Sequence, residues 1–166
     1  LDSLITWLPI PHPNSKIFSS FFILYLKNNH FVKFFDPNFL LRSSLFCNFC
    51  DEIALFSTID SCRPLHVFDF DKITGNITVR YSESGEKFIG LDGEEYILDK
   101  GMIVICDDSG VISLAGILGG LSTACDNETK QILIESAYFN PERIAATGRK
   151  LKIISDARYR FERGID

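Results

Sequence analysis

Glycine is absent from the first 74 of the 166 residues, and all 11 glycines fall at Gly75 or later. Tight turns in that first stretch must therefore form without the residue that takes positive φ freely. Cationic excess is missing too: 17 Lys and Arg stand against 22 Asp and Glu, a net charge of −5. This balance excludes broad coating of nucleic acid and leaves room for a local basic patch. Long hydrophobic runs are lacking. The longest, Ile17 to Leu26, is ten residues between Lys16 and Lys27, whereas a bilayer span needs about 20. The five cysteines, Cys47, Cys50, Cys62, Cys106 and Cys125, are odd in number and irregularly spaced. They make no disulfide framework and fit a reducing, cytoplasmic setting. No basic n-region opens the chain, so no cleavable signal peptide is read. The chain opens on Leu1, has Met102 as its one methionine and stops inside a charged helical pattern, so it reads as a piece of something longer.

What is present divides near Arg63. Ten of the 15 phenylalanines lie at Phe56 or earlier. Pro9, Pro11, Pro13 and Pro37 interrupt this part, and its apolar clusters keep no helical period. Three readings of residues 1–62 stand open: a helical, partly buried lead-in; a divergent, out-of-frame or degenerate stretch; and a membrane-associated segment. Residues 63–166 are locally consistent. Ile77, Val79 and Tyr81 alternate on one strand face. Asp92-Gly93 predicts a type I′ hairpin between strands at 87–91 and 95–98. Strands at 102–106 and 111–117 flank Ser109-Gly110, and residues 131–139 form another. Asn140-Pro141-Glu142 starts a helix that Gly148 should stop. Ser155-Asp156 caps a final helix. Six or seven strands and two late helices give an α+β fold with mixed, largely antiparallel sheet layers.

Several side chains could carry chemistry. His66 titrates near working pH and could place an ester or a water. Glu135 shares a strand face with Leu133 and Ala137, where an unpartnered carboxylate is costly and would suit a ligand hydroxyl. A satisfied ion pair or an edge position is the plainer alternative. The run Ala115-Gly-Ile-Leu-Gly-Gly120 lacks the spacing of a nucleotide loop and suits close backbone approach or tight packing. Cys47 and Cys50 form a lone CxxC without a second ligand pair, and no metal site is assigned from it. Asp69, Asp71, Asp107 and Asp108 sit at turn signals, where acids are commonly solvated. Arg149, Lys150, Lys152, Arg158, Arg160 and Arg163 make the C-terminal stretch the one local patch that could meet phosphates.

Ordered segments then carry a resemblance. Arg63-Pro-Leu-His-Val-Phe-Asp-Phe-Asp-Lys-Ile73 opens the set. Phe88-Ile-Gly-Leu-Asp-Gly-Glu-Glu-Tyr96, Leu114-Ala-Gly-Ile-Leu-Gly-Gly120 and Ile134-Glu-Ser-Ala-Tyr-Phe139 follow. Ser155-Asp-Ala-Arg-Tyr-Arg-Phe-Glu-Arg-Gly-Ile-Asp166 closes it. In this order they resemble the B3/B4 domain of the bacterial phenylalanyl-tRNA synthetase beta subunit.

The resemblance implies an editing domain, its C-terminal part at 63–166, that hydrolyses tyrosine wrongly esterified to the 3′ end of tRNA(Phe). It implies a cytoplasmic α2β2 ligase with an alpha subunit as partner, and ATP and magnesium for the whole enzyme but no cofactor in this piece. His66 matches the editing-site histidine and Gly119 the glycine that leaves room for the amino acid. Glu135 matches the acid that recognises the tyrosine hydroxyl. Ser155 and Ala157 match the pocket wall, with Ser155 in place of the usual threonine. Ala54 and Leu55 stand where the family carries Thr and Asn. The base is left unassigned, a group on the tRNA being one candidate. The alternative is a freestanding or decayed B3/B4-like module that binds tRNA or protein without catalysis.

Overall fold

Alternating apolar residues become strands and capped segments become helices along a chain whose computed structural model describes residues 5–9, 18–24 and 64–164. In the first two of these stretches the backbone alone is described. The strands are β1 (Ile5–Pro9), β2 (Phe18–Leu24), β3 (Leu65–Asp69), β4 (Thr78–Tyr81), β5 (Lys87–Ile89), β6 (Glu95–Ile97), β7 (Ile103–Asp107), β8 (Gly110–Leu114), β9 (Leu118–Gly119) and β10 (Ile132–Tyr138). Helices α1 (Pro141–Leu151) and α2 (Asp156–Phe161) follow. Two four-stranded sheets run β1-β2-β10-β3 and β4-β7-β8-β9, beside the hairpin β5-β6. Every described pairing is antiparallel. The α+β class holds.

Between the sheets lies the core. Phe68, Leu133 and Ala137 of the first sheet join Val79, Val104 and Leu114 of the second, with Phe139, Ile144 and Phe161 from the helical end. All five residues of β7 are buried. A strand covered on both faces has no polar alternation to show. The hairpin joins the second sheet through a bridge between Gly90 and Gly120. At Gly120 a Cβ would come within 3.0 Å of the Ile112 carbonyl carbon, so the glycine run serves close packing of backbone on backbone.

Four local expectations are corrected. The connection between β5 and β6 is not a two-residue type I′ turn: Gly93 N–H donates to Gly90 O at 2.9 Å, and Gly93 has φ +82° while Asp92 does not have positive φ. The glycine ends the turn in the left-handed region. Helix α1 does not stop at Gly148. It runs to Leu151 and is capped by Lys152 at φ 57°. Gly148 is buried because the Arg158 side chain lies on it; an added Cβ would come within 2.8 Å of Arg158 Cζ. Residues 65–69, not predicted as a strand, form β3 because β10 pairs with them. At residues 5–9 and 18–24 the helical reading fails, for both stretches are strands and β2 pairs with β10 along seven residues. Ala54, Leu55 and the CxxC cysteines lie outside the described residues.

Candidate functional site

The pairing of β3 with β10 sets Glu135 directly opposite His66 and Leu133 opposite Phe68. Residues opposed in an antiparallel ladder share a face, with Cβ atoms about 4.5–5.5 Å apart. Leu133, Ala137 and Phe68 turn that face into the core. Period two then carries Glu135 and His66 inward with them. Glu135 is 5% exposed, and His66 is partly buried.

Burial dominates the electrostatics of both groups. It raises the Glu135 carboxyl from 4.5 to about 8 and lowers the His66 imidazole from 6.5 to about 4. Neither group forms an ion pair among the described residues. Near pH 7 the site therefore presents a neutral carboxylic acid, able to donate and accept, beside a neutral imidazole. The ring is held by packing. Phe68 meets it at 90° with centroids 4.4 Å apart. The backbone of Gly119 also stands against it, where a Cβ would fall 2.6 Å from Nε2 and 3.0 Å from Leu91 Cδ1. The expected space at Gly119 is thus occupied by the histidine itself. Leu91 N–H donates to Gly119 O at 3.0 Å, which fixes Leu91 at the border of the site.

Ser155 is the residue before α2. Its hydroxyl accepts from Arg158 N–H at 3.1 Å as the cap of α2 and donates to Ile117 O at 2.6 Å. This pins α2 to the segment that leads into Gly119. Ala157 lies on α2 and packs on the core; no described contact joins it or Ser155 to His66 or Glu135. Phe68 and Leu91 were missed in the sequence because an apolar side chain carries no chemical signal of its own. His66 beside Phe68 at a spacing of two was the available signal.

Asp69 and Asp107 are buried and used internally, whereas Asp71 and Asp108 are exposed. Asp69 accepts from Thr129 Oγ1 at 2.7 Å, and Lys72 bridges Asp126 at 2.6 Å. Asp107 accepts from Thr74, Ser109 and Gly110 N–H groups, and these bonds hold its carboxyl below the usual range against burial. Among the described residues, no three metal-ligating side chains converge.

Strand pairing sets a buried carboxyl opposite a partly buried imidazole, with the Gly119 backbone against the ring, in an α+β domain. The family model described as the B3/4 domain matches residues 51–166. The chain belongs to this B3/4 domain family. Over 115 residues, 69% of this chain, it is 53% identical to the phenylalanine–tRNA ligase beta subunit of Paramagnetospirillum magneticum. Identity is 56% over the same length to that of Bradyrhizobium diazoefficiens. The chain spans 14% of the length of each of these curated relatives. Among solved structures it is similar to an N-terminal fragment of the phenylalanyl-tRNA synthetase beta-subunit from Pyrococcus horikoshii. That likeness has a TM-score of 0.45 and 21% identity, covering 77% of this chain and 42% of the other. The family match takes in Ala54 and Leu55.

Proposed function

We propose that this chain is the editing part of a phenylalanine–tRNA ligase beta subunit and hydrolyses tyrosine esterified to tRNA(Phe). The observation that carries the reading is the register pairing of Glu135 with His66 beside Gly119 in a B3/4 chain. Phenylalanine and tyrosine differ by one hydroxyl. An apolar pocket rejects such an addition poorly, whereas a site built to bond the hydroxyl rejects the analogue lacking it by roughly 10⁴-fold. Glu135 supplies that bond as a neutral acid. Phenylalanine would leave the buried carboxyl unpaired.

His66 places the ester and the attacking water. Water adds to the ester carbonyl, the bond to the ribose oxygen breaks, and that oxygen leaves with a proton. The products are tyrosine and free tRNA. The backbone of Gly119, the Phe68 ring and the α2 wall built on Ser155 keep the imidazole and the amino acid in place. In this reading the domain's C-terminal part spans 63–166, and 1–62, into which the family match extends from residue 51, is a divergent or out-of-frame lead-in. The whole ligase would work in the cytoplasm with an alpha subunit, ATP and magnesium.

Single-turnover deacylation of Tyr-tRNA(Phe) and Phe-tRNA(Phe) by the purified chain tests this. Selective loss of tyrosine, reduced at least 100-fold by Glu135→Ala at unchanged fold, is expected. A folded chain that leaves both esters intact would overturn it and assign a non-catalytic binding module.

A further inference from the structure

We propose that the connector between α1 and α2 is the surface on which the single-stranded 3′ end of the tRNA lies while its ester occupies the Glu135–His66 site. This rests on the function proposed above and adds the surface that recognises the polyanion. The chain carries a net charge of −5, so most of its surface repels RNA. Among the described residues, cations near α1 and α2 are largely neutralised: Lys150 by Asp99 at 2.7 Å, Arg160 by Asp156 at 2.7 Å and Arg158 by Glu162 at 3.2 Å. Arg149 and Lys152 differ. Both are exposed, and neither forms an ion pair among the described residues.

Placement ties them to the site. Lys152 stands three residues before Ser155, a chain reach of roughly 10 Å at most. Ser155 in turn is bonded to Ile117 O, two residues before Gly119. The connector is held in shape rather than loose. Ile153 is buried, and its carbonyl accepts from Arg158 Nη1 at 2.5 Å. Between Lys152 and Ser155, Ile154 is 94% exposed and presents an apolar surface for a ribose or base.

Helix-dipole complementarity accounts for cations in the last turn of α1. It favours a cation at the capping Lys152 as well, but gives no reason for a side chain on the left-handed backbone of this, the one described residue other than glycine with positive φ. Glycine is favoured at this capping position. A lysine there keeps a charged side chain at a conformational cost. Phosphates recognised by Arg149 and Lys152, with Ile154 against the sugar or base, would use what the fold retains.

The test measures binding of uncharged tRNA(Phe) to the full chain at several salt concentrations, together with deacylation of Tyr-tRNA(Phe) and of a tyrosyl ester of adenosine that has no phosphate. Lys152→Glu should weaken tRNA binding at least tenfold at low salt, and Arg149→Glu/Lys152→Glu should flatten the logarithmic salt slope by about 1.4. The rate on the tRNA ester should fall at least tenfold further than the rate on the nucleoside ester. Lys130→Glu, an equal charge reversal on another exposed lysine, should change tRNA binding less than twofold. Equal weakening by Lys130→Glu would reduce the effect to net charge and overturn the assignment, as would unaltered tRNA binding in the double variant. If the wild type cleaves neither ester, the editing reading fails while the binding arm still decides the surface.

Discussion

Glu135 and His66 are displaced in opposite directions by the same cause, and their effects on stability differ in sign. Glu135 is protonated in the folded chain up to about pH 8 but ionises near 4.5 when unfolded. Between these values the folded state holds the extra proton, so stability falls as pH rises. His66 protonates near 6.5 when unfolded and only near 4 when folded. Its contribution is therefore lost as pH falls through that range. The two slopes oppose each other between about pH 4.5 and 6.5. From 6.5 to 8 Glu135 acts alone, lowering stability by about 2 kcal/mol. Urea titrations across pH should show this fall, and Glu135→Gln should remove it. An unchanged profile in the variant would refute the protonated state. Gly119→Ala drives a methyl into the imidazole. Loss of hydrolysis by at least tenfold is expected, with a Tm lowered by only a few degrees, as measured by deacylation beside thermal unfolding.

At the scale of elements, α2 is a short helix whose start is capped and tied down by one hydroxyl. Ser155 caps it and ties it to Ile117. Removing both bonds by Ser155→Ala should cost about 1–2 kcal/mol of stability in urea unfolding. Ser155→Thr keeps the hydroxyl and should retain most of it. Helix α1 ends in a left-handed lysine. Lys152→Gly relieves that conformation and should stabilise the chain by about 0.5–1 kcal/mol in the same assay. The same change should weaken tRNA binding, because the connector loses a charge. A gain in stability joined to a loss in affinity would separate what the fold prefers at this position from what it retains there.

Over the whole molecule, β10 has two neighbours. β3 brings His66 to Glu135, and β2 covers the other edge. A chain starting at residue 63 would leave the β2-facing edge of β10 unpaired, and open strand edges associate. Such a truncation should self-associate or unfold at lower urea, as read by light scattering and urea titration. A monomeric truncation of native stability would show that β2 contributes little to the domain.

Much of this molecule was legible locally. Alternation at Ile77, Val79 and Tyr81, the cap at Asn140 and the cap at Ser155 are nearest-neighbour chemistry, as is the inward face shared by Leu133, Glu135 and Ala137. Such features follow from side-chain period and from backbone donors that lack partners at helix ends. The ends of elements were not legible in this way. Gly148 reads as a stop by its own propensity, yet the helix continues because Arg158, ten residues later, fills the space above it. Residues 65–69 become a strand only through β10, more than 60 residues downstream. The sequence by itself determined the α+β class, the helix starts and the placing of an acid on an apolar face. Only the tertiary structure decided that His66 stands opposite that acid, packed between Phe68 and Gly119. Register and burial are long-range properties, and burial is what makes both groups neutral at the same pH.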